Sequence, residues 1–192
     1  MPRPSRERLL DSAVDLLQRQ GYHGTGLNEL LERSEAPRGS LYHYFPGGKE
    51  QIGAEAIARA GGQVAAAVAH LLRAKPSVAD AVEALAGLLA AGLEASDFER
   101  GCPVATTALE VTPRSEPIRA AVQASFESWL APLRERLEAA GFDRHQAARR
   151  ADLAIATLEG ALVLARARQD ADVLRDAGRQ LRALLEAPEA AF

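Results

Sequence analysis

Leucines and small apolar residues return along this chain every three or four positions, and no window alternates every second one. That spacing is one face of an α-helix rather than a half-buried strand. The first such run carries Leu9, Leu10, Ala13, Val14, Leu16 and Leu17 behind Ser5, which is placed to cap it, and Gly21 closes it. After the link 22–25, a second helix has Leu27, Leu30 and Leu31 on one face, with Thr25 three residues before Asn28 as its cap. Pro37 suits the first turn of a third, very short helix, ended by Phe45-Pro46-Gly47-Gly48. Lys49 opens a long Ala-rich helix to about residue 75, with Gly61-Gly62 as its expected kink point. Pro76-Ser77 restarts the chain for a helix over 78–95. Gly101-Cys102-Pro103 introduces a shorter one through Leu109, and Thr112-Pro113 precedes one over 116–140. Two more are expected at 144–168 and 173–185. The pattern predicts an all-α fold of about nine helices.

Composition agrees. Of 192 residues, 47% are hydrophobic, 26% charged and only 5% aromatic, which excludes a disordered chain. The length suits one full-sized domain, or a small domain fused to a medium one. A core of Ala, Leu and Val favours helices packed closely on helices. Apolar stretches such as 64–72 stop well short of the ~20 residues that a membrane span needs. The first residues, with acids among the arginines, read as neither signal nor transit peptide. Cys102 is the single cysteine, so neither an internal disulfide nor a multi-cysteine metal site is expected. A cytoplasmic protein with no cofactor, no metal and no membrane partner is the simplest expectation. Net charge is -3, and residues 1–50 balance seven basic against seven acidic side chains, so charge alone does not decide the function.

The chemistry sits in the short helices. A helix, a tight turn and a second short helix is the arrangement that fits a recognition helix into the DNA major groove. Residues 27–34, the turn Glu35-Ala36 and residues 37–45 match it. Arg38 and Ser40 are donors suited to base edges, Arg most naturally to guanine. Tyr42, His43, Tyr44 and Lys49 suit phosphates, and the fourth helix adds amide donors at its start. Leu41 and Phe45, four residues apart, belong to the core. His43 is also compatible with a structural role, Arg38 with a surface pair to Glu35, and His23 with a plain loop position.

Thr25…Leu30-Leu31…Gly39-Ser-Leu-Tyr-His-Tyr-Phe45…Lys49-Glu50 resembles the DNA-binding domain of TetR-family transcriptional repressors. Phe45-Pro-Gly-Gly-Lys-Glu50, with Gly101-Cys-Pro-Val104 and Thr107-Ala-Leu-Glu110, further resembles that family's LmrA/YxaF-like branch. The resemblance implies a helix-turn-helix domain over 1–50, with the motif itself at about 25–45, and a regulatory and dimerisation domain over 51–192. It adds Thr25, Asn28, Pro37 and Gly39 to the DNA-binding surface. One position departs: the family usually holds Gly where this chain has Glu35, and a side chain tolerates a left-handed backbone less well, so a local change in the turn is expected.

The resemblance also implies a helical domain that binds a small molecule and dimerises. Trp129, Phe126, Phe98, Cys102, Thr106 and His70 fall where they can line a mainly apolar cavity, and the two aromatics equally suit ordinary core. Cys102 is either a redox sensor or a buried, inert thiol. Leu153, Leu158, Ala161 and Leu162 on one helix, with Leu181 and Leu184 on the next, make stripes suited to a four-helix seam between two subunits. The expected function is a homodimeric repressor of double-stranded operator DNA, released by a small hydrophobic effector; drug-like or flavonoid-like effectors are implied by the branch. The helix from Lys49, running on to His70, is the expected link between ligand and DNA. An enzyme is the weaker reading: no Ser-His-Asp set, Gly-rich phosphate loop or metal spacing occurs, and Glu55, Asp152 and Glu159 read as ordinary helix faces. A helical small-molecule-binding or interaction protein without DNA binding is the other alternative.

Overall fold

The computed structural model describes residues 4–37 and 39–186. Among them are nine α-helices and no strand: α1 Ser5–Gly24, α2 Leu27–Ser34, α3 Ser40–Tyr44, α4 Gly48–Ala74, α5 Val78–Ala95, α6 Pro103–Val111, α7 Glu116–Ala139, α8 Arg144–Arg168 and α9 Asp172–Leu185. The all-α expectation holds, and prolines and glycines mark most boundaries as expected. Ser77 caps α5, its hydroxyl accepting from the Asp80 amide at 3.0 Å. Asp143 and Gln146 form a reciprocal capping box at the start of α8.

Several local expectations are corrected. Pro4, not Ser5, stands at the N-cap of α1, and no side chain caps it. Gly26 occupies the N-cap of α2, while the buried Thr25 turns back and donates its hydroxyl to the Gly21 carbonyl at 2.7 Å. That carbonyl lies at a break in α1, so Thr25 satisfies an acceptor the helix has lost. Pro37 precedes α3 instead of opening it; its carbonyl accepts from the Ser40 amide at 2.8 Å. Finally, α4 runs unbroken through Gly61 and Gly62. Gly61 is small for another reason: a Cβ there would collide with the Ser125 hydroxyl.

The described residues divide into two compact units: those up to Gln63 together with Arg100–Phe126, and Val64–Glu99 together with those from Glu127 onward. The first therefore contains α6 as well as α1 to α3 and the start of α4. In it, α1 packs against α2, α3 and α6, burying Leu9, Leu10, Ala13, Val14, Leu16 and Leu17. Leu30, Leu41, Phe45, Ile52, Val104 and Ile118 fill the same core. Each such side chain contributes roughly 1.5–3 kcal/mol when fully buried.

In the second unit α5, α8 and α9 pack together. Small residues set the spacing, since a Cβ on Gly178 of α9 would sit 2.6 Å from that of Ala86 on α5. Arg182 pairs with Asp80 and Glu83, and Arg175 with Glu94. This packing also corrects the expected seam. Leu158, Ala161, Leu162 and Leu181 are only 3–8% exposed within a single chain, so they close this unit's own core. Leu184 is half-buried. Of the expected set only Leu153 is exposed, and Val163 and Leu164 of α8 are exposed with it.

Candidate nucleic-acid interface

The helix-turn-helix depends on how α2 stops. Glu35 takes the left-handed conformation (φ 50°, ψ 31°) and donates its amide to the Glu32 carbonyl at 3.1 Å. The turn thus keeps the geometry a glycine would adopt, against the expected local change. A side chain there costs roughly 1–2 kcal/mol. Arg8 of α1 supplies compensation that the sequence did not reveal. Its guanidinium donates to the carbonyls of Ser34 (2.9 Å) and Glu35 (3.1 Å), setting a cation on the C-terminal end of α2.

Leu41 of α3 and Phe45 at its C-cap are buried at 1% and 0% exposure, anchoring the short helix. That leaves Tyr42 64% exposed, with His43 also exposed and Tyr44 half-buried. The His43 and Tyr44 rings meet edge to face at 4.9 Å. Ser40 donates its hydroxyl to the Pro37 carbonyl at 2.6 Å, so it braces the turn. Asn28, Pro37 and Gly39 are exposed. Thr25 is the exception among the expected contacts, being buried with its hydroxyl spent on Gly21. Arg38 lies outside the described residues.

Lys49 is only half-exposed. Its ammonium lies 4.7 Å from the Tyr22 ring centre and donates to the His23 carbonyl at 3.5 Å. Burial pulls its pKa below the usual lysine range, with the Glu110 charge opposing. Burial and the nearby Glu50 charge likewise push the Tyr22 hydroxyl up. Two further features of this unit escaped sequence reasoning. Glu110 of α6 accepts the backbone amides of Tyr22 (2.6 Å) and His23 (3.1 Å) on one carboxylate oxygen. Asp15 of α1 gathers Arg19, Arg33 and Arg100. Burial raises the Asp15 carboxyl, but hydrogen bonds and charge from Arg19 and Arg100 outweigh it and hold it below the usual range. The one available signal was Glu110 closing the Thr107-Ala-Leu-Glu110 run; nothing in the spacing ties it to a turn some ninety residues earlier.

The six expected pocket residues are divided between the two units. Cys102, Thr106 and Phe126 belong to the first, and His70, Phe98 and Trp129 to the second. Trp129 is 1% exposed and acts as core. Phe98 and Phe126 are half-buried and His70 is exposed. The Cys102 sulfur caps α6 by accepting from the Ala105 amide at 3.4 Å, and Thr106 donates to the Cys102 carbonyl at 3.0 Å. An open groove of about 500 Å³ in the second unit, floored by Ala69, Leu72 and Pro132 and edged by Arg73 and Arg136, contains none of the six. Among the described residues no group of three or more His, Cys, Asp or Glu could hold a metal, and no helix is long and apolar enough to cross a membrane.

Known proteins match both parts of the chain. Residues 9–56 match the model of bacterial regulatory proteins of the tetR family, and residues 78–180 that of the LmrA/YxaF-like transcriptional regulator C-terminal domain. The HTH-type transcriptional regulator LmrA of Bacillus subtilis (strain 168) is 34% identical over 160 residues, covering 83% of this chain and 85% of that protein. The uncharacterized HTH-type transcriptional regulator MT0206 of Mycobacterium tuberculosis (strain CDC 1551 / Oshkosh) is 39% identical over 191 residues, 96% of each chain. Among solved structures, a cysteine mutant of the TetR family regulator CifR, complexed with 26-base-pair double-strand operator DNA, superposes with a TM-score of 0.78 at 32% identity, covering 95% of this chain and 99% of that one. With the helix-turn-helix geometry already in place, these matches show that the chain belongs to the TetR family of DNA-binding transcriptional regulators, in its LmrA/YxaF-like branch.

Proposed function

We propose that this regulator is a homodimeric repressor that binds a near-palindromic operator and leaves it when a small hydrophobic effector binds. The exposed face of α3 carries this reading: Tyr42 and His43 stand out from a short helix whose other residues are anchored, the arrangement expected of groove contact. Tyr42, His43, Tyr44 and Lys49 contact phosphates, and Arg38 reads a base edge. Relatives named as repressors, DhaR of Mycobacterium sp. and NemR of Escherichia coli, favour the repressing sense.

One such helix reads few base pairs, so two are needed at fixed spacing. The pairing surface is the outer face of α8, where Leu153, Val163 and Leu164 are exposed with Gly160 between them. The effector is apolar in the main, as the aliphatic second unit suggests; the protein is cytoplasmic and not an enzyme. The test selects operator sequences from a random duplex library with the wild-type protein, then titrates the winner in a mobility shift against a small aromatic library. Enrichment of a palindrome, released by at least one compound that also raises the melting temperature of the free protein, is the expected result. No enrichment would remove DNA binding; enrichment without release by any compound would remove the effector.

A further inference from the structure

The break in α1 is held open by α6. Gly21 has φ 72° and ψ -176°, well outside the helical region, although helix resumes for the last turn to Gly24. In an unbroken helix the Tyr22 amide would donate to the Gln18 carbonyl, four residues back. Here both halves of that bond have gone to a single later segment. The Gln18 carbonyl accepts from the Gly101 amide at 2.8 Å, and the Tyr22 amide donates to Glu110 at 2.6 Å. Glu110 takes the next amide as well, that of His23. Hydrogen bonds from amides to a carboxylate are short and about twice as strong as neutral ones. The same segment is pinned at its start by the ion pair of Arg100 with Asp15, at 2.7 Å. Gly-Cys-Pro at one end of it and Thr-Ala-Leu-Glu at the other therefore act on α1 as one clamp.

What the clamp holds is the seat of Lys49. Its ammonium rests on the Tyr22 ring and the His23 carbonyl, the two residues whose amides Glu110 fixes. We propose that Glu110 is a positioning residue for DNA binding: it keeps α1 open at Gly21, and the open turn presents Lys49 at the phosphate-facing start of α4. Once Glu110 lets go, the Tyr22 amide can return to Gln18, Gly21 can become helical, and the seat turns away. Two discrete backbone states with different bonding partners make a switch rather than a hinge of continuous bend.

The inference rests on the DNA-binding reading, and the experiment separates the two. Operator is first selected from a random duplex library with wild-type protein, and its affinity is measured across a range of salt. Glu110→Ala removes the carboxylate arm of the clamp, and Gly21→Ala disfavours the open backbone. Glu110→Gln removes the charge while keeping an acceptor. The first two should each weaken operator binding about tenfold and Glu110→Gln by no more than about threefold. The salt slope of Glu110→Ala and Gly21→Ala should fall by about one phosphate, as in Lys49→Met. Combining Glu110→Ala with either Gly21→Ala or Lys49→Met should add little, because each pair acts on one seat. The proposal is overturned if Glu110→Ala binds operator as well as wild type or better, as a bystander charge near phosphates would require. Multiplying effects in the double variants, or an unchanged salt slope, would equally overturn it. Should an alanine variant fail to fold, Glu110→Asp takes its place: the shorter arm must weaken binding where Glu110→Gln does not. If the wild type selects no DNA, the functional reading fails. Amide exchange at Tyr22 and His23, faster in Glu110→Ala or unchanged, then decides the clamp alone.

Discussion

Glu35 carries a backbone conformation that favours glycine, at the point where α2 hands over to the recognition helix. Replacing it with glycine should relieve the left-handed strain, less the extra chain entropy glycine loses on folding. A stabilisation of about 0.5–1 kcal/mol is expected, seen as a melting rise of roughly 1–4 °C for a chain of this size. No rise would mean that Arg8 already removes the penalty. Asp15 makes the opposite kind of prediction. Its carboxyl is depressed on folding, so it contributes stability above the unfolded value of about 3.9, and that stability is lost as pH falls through the lower folded value. Asp15→Asn should therefore be less stable than wild type at pH 7, with the difference shrinking below about pH 4. Parallel curves down to pH 3 would contradict the pairing. Residues of this kind were legible in part. Leu41 and Phe45 announce themselves by four-residue spacing next to a motif, whereas Arg8 and Glu110, and Asp15 beyond its local pair with Arg19, act on partners 18 to 88 residues distant that leave no local trace.

At the scale of elements, α8 shows why an apolar stripe identifies a buried face but not its neighbour. Leu158 and Leu162 have the spacing expected of a subunit seam, and in the structure both are already buried within a single chain. Core and interface obey the same physical chemistry, so periodicity cannot separate them when a helix is apolar on two sides. The two faces should now respond differently to charge. Leu158→Arg buries an unpaired cation and should prevent folding altogether, since even truncation to alanine there costs about 2–5 kcal/mol. Leu164→Glu, on the exposed face, should leave the helical signal and melting of the protomer intact and shift sedimentation to monomer. A dimer surviving Leu164→Glu would place the seam elsewhere. At the first turn of α8, Asp143→Ala removes the side chain that accepts the Gln146 amide at 2.8 Å and should cost about 1 kcal/mol. Helix boundaries were readable to within a few residues, because Pro, Gly and capping residues act within three or four positions, although the capping residue itself was misplaced for α1 and α2.

For the whole molecule, the order of helices was legible and their grouping was not. Nine segments follow from local periodicity, but nothing local says that α6 joins the unit of α1 rather than the one that α5 and α8 share. A boundary after residue 50 reads naturally from the motif, yet the first compact unit closes only with Arg100–Phe126. The expected cavity residues fared likewise, because their division between the two units depends on long-range packing that no local pattern records. Residues 1–63 alone would leave the α6-facing side of α1 in water and the Tyr22 and His23 amides without Glu110. Such a fragment should show little cooperative melting by circular dichroism, whereas the full chain melts as a folded protein. A sharp transition in the fragment would show that α6 is an accessory rather than a wall.

The same discontinuity orders events on the ribosome. A nascent chain that has emerged as far as α4 displays the whole helix-turn-helix motif, yet the segment that completes its hydrophobic wall has not been synthesised. Chain destined for the other unit, residues 64–99, must appear first and be held aside while α6 is made. The DNA-reading part of this regulator is thus translated well ahead of the segment that finishes it, and a growing polypeptide cannot engage an operator in final form before Arg100–Phe126 has been made.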